Sequence, residues 1–190
     1  MKNELVKRIF TDSLELHRAV LSDEDFLSSV SAASELIVDA LKSGGKVLVA
    51  GNGGSAADSQ HFVAELVGRF EKERKGLPAL ALSTNTSSLT ALANDYSYDD
   101  VFSRQLTALG KRGDVFFGIT TSGNSPNIVK ALKSAREMGI KTIGLLGKGG
   151  GKCLNLCDVP IVVPHKVTAR IQEVHILVIH TICAVVDSEF

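Results

Sequence analysis

Lys46-Val47-Leu48-Val49-Ala50-Gly51-Asn52-Gly53-Gly54-Ser55-Ala56-Ala57-Asp58-Ser59-Gln60-His61-Phe62-Val63-Ala64-Glu65 is the stretch that decides the fold. Lys46 to Ala50 is a short apolar run with β-branched residues, Gly51 to Ser55 cannot continue it, and from Ala56 the residues are helix formers. The order is strand, glycine loop, helix. Three glycines let backbone N–H groups turn inward around an anion, and the helix start adds unpaired N–H groups and the positive end of its dipole. A phosphate group suits that point. On the same helix His61, Glu65 and Arg69 stand at i, i+4 and i+8, each about 40° further round, so they form one polar stripe.

Upstream, residues 2 to 21 carry Leu5, Ile9, Leu16 and Val20 at near-helical spacing, and residues 25 to 42 repeat the pattern up to Ser43-Gly44-Gly45. These two amphipathic helices precede the first strand. Their apolar stripes need cover, either from a partner subunit or from the chain's own sheet. Downstream, Glu71 to Gly76 is a charged loop. Leu77–Leu82, Asp114–Ile119, Thr142–Leu146 and Val159–Val163 read as strands. Helices over Ser88–Ala93, Val101–Leu109, Asn127–Met138 and Thr168–Ser188 follow or separate them. Pro160 puts the fifth strand at an edge, and Ser125 and Pro126 suit the cap and first position of a helix. Strands alternating with helices predict an α/β domain with a doubly wound, five-stranded parallel sheet. The ligand then lies beyond the strand C-termini, where loops begin at Gly51, Ser83, Thr120 and Gly147.

With 190 residues and 44% hydrophobic content, the chain makes one domain, a helical segment 1–43 joined to an α/β core 44–190. Lys and Arg number 21 and so do Asp and Glu, which leaves no basic excess for a nucleic-acid partner. Cys153, Cys157 and Cys183 are odd in number and lie among apolar neighbours, so we expect reduced thiols and a cytoplasmic protein rather than a zinc-thiolate site. No secretory apolar core is visible near Met1. Ile176–Val186 is the most apolar stretch, but His180 and Thr181 interrupt it and it falls short of the roughly 20 residues of a bilayer span. We expect a core helix there and no membrane partner.

Gly51-x-Gly53-x-x-Ala56 matches a dinucleotide fingerprint, yet the second strand ends in Ser83-Thr84-Asn85 without the acid that binds ribose, and no phosphate loop of the GxxxxGK[ST] type exists. The loop Thr120-Thr121-Ser122-Gly123-Asn124-Ser125 crowds hydroxyls at a helix start, which suits a phosphate monoester better than simple capping. His61 and Glu65 fit a metal site, an acid/base pair or a solvated helix face. Gln172 and His180 lie about 12 Å apart along one helix, so both reach one point only if it lies between them. His17, His165 and His175 read as structural.

Taken together, Gly51-Asn52-Gly53-Gly54-Ser55, His61-Phe62-x-x-Glu65-Leu66-x-Gly68-Arg69-Phe70, Ala93-Asn94-Asp95, Thr121-Ser122-Gly123-Asn124-Ser125 and Ala169-Arg170-Ile171-Gln172-Glu173-x-His175 resemble the phosphoheptose isomerases, a family of sugar isomerase (SIS) domain proteins. The resemblance covers nearly the whole chain. It implies a flavodoxin-like strand order and a homotetramer that uses the helical segment in packing. The implied activity converts D-sedoheptulose 7-phosphate into D-glycero-D-manno-heptose 7-phosphate, with one zinc ion per subunit. By that resemblance Asn52, Gly53, Gly54, Ser55, Thr120, Thr121, Ser122 and Ser125 bind the substrate, with Glu65, Asn94, Asp95 and Gln172 near the sugar. His61, Glu65, Gln172 and His180 match the metal ligands, and Glu65 and His180 also match the acid/base pair. Thr120 stands where many relatives have Ser, and Ala169 where some have Asp. The alternative is a non-catalytic SIS adaptor, of the type that associates with a replication initiator, or a sugar-phosphate sensor. Such adaptors lack the carboxylate and histidine at the positions of Glu65 and His180.

Overall fold

A computed structural model describes residues 1–190. Five parallel strands, β1 (Val47–Gly51), β2 (Ala79–Ala81), β3 (Val115–Thr120), β4 (Lys141–Gly147) and β5 (Val159–Val163), pair in the order β2-β1-β3-β4-β5. The helices are α1 (Lys2–Leu21), α2 (Glu24–Lys42), α3 (Gly54–Val67), α4 (Thr86–Asp95), α5 (Val101–Leu109), α6 (Pro126–Glu137) and α7 (Thr168–Glu189), with 3-10 turns at Tyr98–Asp100 and Gly151–Leu156. Every residue of β1 and β3 is buried, as strands covered on both faces require, and this is why their sequences are continuous apolar runs. Alternation divides their side chains. Val47 and Val49 join α2, α3 and α7 in one core, while Leu48 and Ala50 join α5 and α6 in the other. Phe62 of α3 meets Phe117 of β3 edge-on, with ring centroids 5.2 Å apart.

The chain leaves β1 toward β2 on one side and returns to β3 on the other, so the crevice of this sheet opens between the ends of β1 and β3. Register pairs Gly51 with Ile119 and Thr120 with Leu146, so the loops after β1, β3 and β4 emerge side by side.

Several boundaries move from those read in the sequence. β2 spans three residues rather than Leu77–Leu82, because Pro78 has no N–H to give and this is an edge strand. α3 begins at Gly54, since Ser55 N–H already bonds the Asn52 carbonyl at 3.0 Å and Ala56 N–H that of Gly53 at 3.0 Å. α4 begins at Thr86, where the Asn85 side chain accepts the Ser88 N–H.

The two N-terminal helices take different cover. Phe26, Val30, Ala33, Ile37 and Leu41 bury α2 against the sheet. Of α1 only Leu16 and Val20 are buried, and Leu5, Val6, Ile9, Phe10 and Leu14 stay exposed. α7 is long and apolar enough to cross a membrane by length and composition, yet Ile171, Val174, Val178, Ile179, Ile182 and Val186 pack into the protein's own core.

The three cysteines are free, and burial pushes their thiols up to about 11 for Cys153 and about 12 for Cys157 and Cys183. His17 Nδ1 lies 2.7 Å from the Ser13 carbonyl, and His165 lies 3.7 Å from Asp12.

His175 is fully buried, and its Nε2 donates to the Leu146 carbonyl at 3.1 Å. Burial lowers its pKa to about 4, against the partial support of that hydrogen bond. The unfolded ring takes up a proton near its ordinary 6.5 while the folded ring stays neutral. Stability is therefore full above pH 6.5, falls between pH 6.5 and about 4, and loses on the order of 3 kcal/mol from this group. Urea unfolding across that window is expected to show the slope, and His175→Gln to flatten it. An unchanged slope in the variant would assign the pH dependence to other groups.

Candidate active site

Two features face the crevice between β1 and β3. The first is the turn after β1, where Gly53 takes φ +57°, a left-handed conformation that glycine adopts without strain. It brings Asn52, Gly53, Gly54 and buried Ser55 to the head of α3, whose N-cap has no side-chain hydrogen bond. The second is the turn after β3. Thr120 Oγ1 lies 2.9 Å from Ser125 Oγ and 3.3 Å from Ser122 Oγ, and Ser122 Oγ accepts the Asn124 N–H at 3.1 Å. Ser125 is the N-cap residue of α6 and Pro126 its first residue, as the sequence suggests, and the Ser125 hydroxyl turns to Thr120 instead of making a capping bond. Three hydroxyls therefore stand clustered at the start of α6, where Pro126 has no N–H and Asn127 Oδ1 takes that of Ile128, so the hydroxyls are the main donors offered to an anionic oxygen group.

Asn52 and Asn127 tie the two turns together with a reciprocal pair of amide hydrogen bonds, each 2.9 Å. The loop after β4 supports the second turn, because Cys153 N–H donates to the Gly123 carbonyl at 2.9 Å and Lys152 N–H to Asn124 Oδ1 at 3.1 Å. Gly123 has φ +64°, and a Cβ there would stand 2.0 Å from the Gly150 carbonyl oxygen. Gly123→Ala is thus expected to cost about 1–3 kcal/mol in urea unfolding and to weaken inorganic phosphate binding. Wild-type stability with wild-type phosphate affinity would show that this contact does not hold the loop.

Two turns further along α3, His61 Nε2 lies 2.9 Å from Glu65 Oε1 and 3.4 Å from His180 Nε2. The α3 pair follows from its i, i+4 spacing, and α7 packs alongside to supply the second ring. Phe70 stacks on His180 with centroids 5.6 Å apart. The same helix pair meets again at its head, where the Gln172 amide lies so close to Gly54 that a Cβ there would sit 2.1 Å from Nε2. Gln172 therefore stands apart from the other three. Asn94 and Asp95, at the exposed end of α4, bond each other at 2.9 Å.

Two imidazole nitrogens and a carboxylate oxygen are donors that zinc takes, and nitrogens facing each other at 3.4 Å cannot both keep a proton between them. These three side chains fit a cation in chemistry, though they run as a chain through His61, and no three His, Cys, Asp or Glu groups close into a finished metal cage.

A buried ion pair fixes the pitch of α3 against α7. Arg74 Nε donates to Asp187 Oδ1 at 2.7 Å, and its other nitrogens donate to the carbonyls of Glu65 at 2.9 Å and Leu66 at 3.0 Å. Asp187 Oδ2 accepts the N–H groups of Glu71 and Lys72. Burial alone would raise the Asp187 carboxyl, but the Lys72 N–H, Arg74 and the Glu71 N–H outweigh it and hold it below the usual range.

Sequence reading missed Arg74, Asn127, Tyr98 and Asp58. Asp58 stands one turn before His61, and its Oδ2 is buried without a partner. Burial raises its carboxyl above the usual range while neighbouring His61 pulls it down. Its i−3 spacing from His61 was the available signal.

A domain-family comparison matches residues 10–147 to the SIS domain. The chain is 51% identical over 189 residues to a phosphoheptose isomerase of Aliarcobacter butzleri, covering 100% of this chain and 98% of that relative. It is 50% identical over 189 residues to that of Clostridium acetobutylicum, covering 100% and 96%. Among solved structures, a phosphoheptose isomerase of Neisseria gonorrhoeae superposes with a TM-score of 0.93 at 45% identity over 99% of this chain and 100% of that one. One of Francisella tularensis superposes at 0.95 and 35% identity over 99% of each. With full-length identity and whole-chain superposition in agreement, the chain belongs to the SIS domain family and, within it, to the phosphoheptose isomerases.

Proposed function

We propose that the protein is an aldose–ketose isomerase that converts D-sedoheptulose 7-phosphate into D-glycero-D-manno-heptose 7-phosphate through an enediol. The observation that carries this reading is the junction of Glu65, His61 and His180 on α3 and α7, below a hydroxyl-lined anion cradle. From Gly54 to His61 is seven residues, about 10 Å along the α3 axis, a separation suited to a sugar phosphate held at one end and worked on at the other. The turns of Asn52–Ser55 and Thr120–Ser125 hold the phosphate and orient the chain. Glu65 removes the proton from C1 and returns one to C2, while the His180 imidazole moves a proton between O1 and O2.

His61, Glu65 and His180 would hold one zinc ion per subunit, with Gln172, at the head of α7 beside Gly54, outside that set. When bound, such an ion polarises a carbonyl and stabilises negative charge on its oxygens. The apolar α1 stripe, Leu5, Val6, Ile9, Phe10 and Leu14, supports a homotetramer, as does a cavity of about 310 Å³ lined largely by apolar residues of α1, α2 and α7. The reaction then serves nucleotide-activated heptose for bacterial surface polysaccharide, in the cytoplasm. Incubation of the purified protein with sedoheptulose 7-phosphate is expected to produce the aldose by NMR. Absence of product in zinc-supplemented protein would favour the sugar-phosphate sensor.

A further inference from the structure

The side chain of Asn52 is oriented by a relay that begins at a backbone N–H. Ile128 N donates to Asn127 Oδ1 at 3.0 Å, and a backbone N–H can only donate, so the oxygen of Asn127 is fixed. Asn127 Oδ1 also accepts Asn52 Nδ2 at 2.9 Å, and Asn127 Nδ2 donates to Asn52 Oδ1 at 2.9 Å. The orientation of Asn52 follows. Its Oδ1 faces Tyr98, whose hydroxyl lies 3.2 Å away and must be the donor because Oδ1 carries no hydrogen. Both lone pairs of Oδ1 are then engaged, one N–H of Nδ2 is spent on Asn127, and one N–H remains.

Tyr98 reaches this position from the 3-10 turn that joins α4 to α5. Asp100 anchors that turn, accepting from Ser97 at 2.5 Å and from Lys130 of α6 at 2.9 Å. The ring itself is half exposed, so the hydroxyl contributes through its hydrogen bond more than through packing. We infer that Tyr98 is a positioning residue for substrate binding: its hydroxyl occupies the second acceptor site of Asn52, so that Asn52 presents only a donor to the oxygens of the sugar phosphate. Without it an acceptor oxygen is free to face an anion, which repels, and the carboxamide loses one of its three tethers. The inference rests on the reading that Asn52 contacts substrate.

The test is a double-mutant cycle on the full-length protein with sedoheptulose 7-phosphate. Tyr98→Phe is expected to raise KM about threefold to tenfold, the range of one neutral hydrogen bond, with kcat and the thermal midpoint unchanged. In an Asn52→Ala background, which itself raises KM, the same change is expected to have no effect, since the group it acts through is gone. A Tyr98→Phe effect of equal size in both backgrounds, no effect in either, or an effect on kcat or the thermal midpoint alone would overturn the positioning role. In each of those cases a raised KM in Asn52→Ala leaves the isomerase reading of the site standing. An unchanged KM in Asn52→Ala would instead overturn the substrate contact of Asn52, and the role of Tyr98 with it.

Discussion

Glu65→Gln is expected to lower kcat by about three orders of magnitude while KM for sedoheptulose 7-phosphate stays within a few fold, the size of effect seen when a positioned general base is removed. The substitution preserves shape and leaves an amide oxygen able to accept from His61, whose Nε2 stands 2.9 Å from Glu65 Oε1. What it removes is the capacity to take a proton. The backbone carbonyl of Glu65 keeps its bond from Arg74 at 2.9 Å, so the helix stays in place and the thermal midpoint should not move. Zinc content measured on the same samples separates a lost base from a lost ligand. A kcat within tenfold of wild type, at equal zinc content, would remove Glu65 from proton transfer.

Asp187→Asn is expected to destabilise the protein by about 3–5 kcal/mol in urea unfolding, the cost of leaving one half of a buried ion pair without its partner. Both side chains are nearly inaccessible, Arg74 at 2% and Asp187 at 5% exposure. The amide cannot serve all three donors, because its nitrogen would face either Arg74 or the N–H groups of Glu71 and Lys72. Since Arg74 also clamps the last turn of α3, loosening it shifts Glu65 relative to His180, and activity should fall before the protein unfolds. A loss below about 1 kcal/mol would rank the pair with ordinary surface bridges.

The strands and most helices were legible because buried parallel strands are written as apolar runs and helices as 3.6-residue stripes. The run Val115–Thr120 is buried throughout, and Val159–Val163 sits at the edge its proline requires. Local signals misled where tertiary contacts compete with them. Ser125 takes the N-cap position its sequence suits, but Thr120, five residues away, claims the hydroxyl that a cap would use. The stripe of His61 and Glu65 could be read on α3 from spacing, whereas its meeting with His180, across a sequence separation of 119 residues, came only from the family resemblance, because it depends on the pitch of α7. Arg74 looked like one more charge in a solvated loop, and only the packing of α7 shows it buried. Asn127 and Tyr98 gave no signal at all, because an amide pair and a phenol carry no spacing rule.

Running the reaction in D2O tests the central claim most directly. If Glu65 moves protons on and off the adjacent carbons, and His180 between their oxygens, through an enediol, the heptose 7-phosphate formed from sedoheptulose 7-phosphate carries solvent deuterium at C2, and Glu65→Gln forms product and label about a thousandfold more slowly. Product that holds only hydrogen at C2 even after many reversible turnovers, when a proton carried by Glu65 has had repeated chances to exchange with solvent, would show direct hydride transfer between the carbons, contradicting the acid/base account of this site.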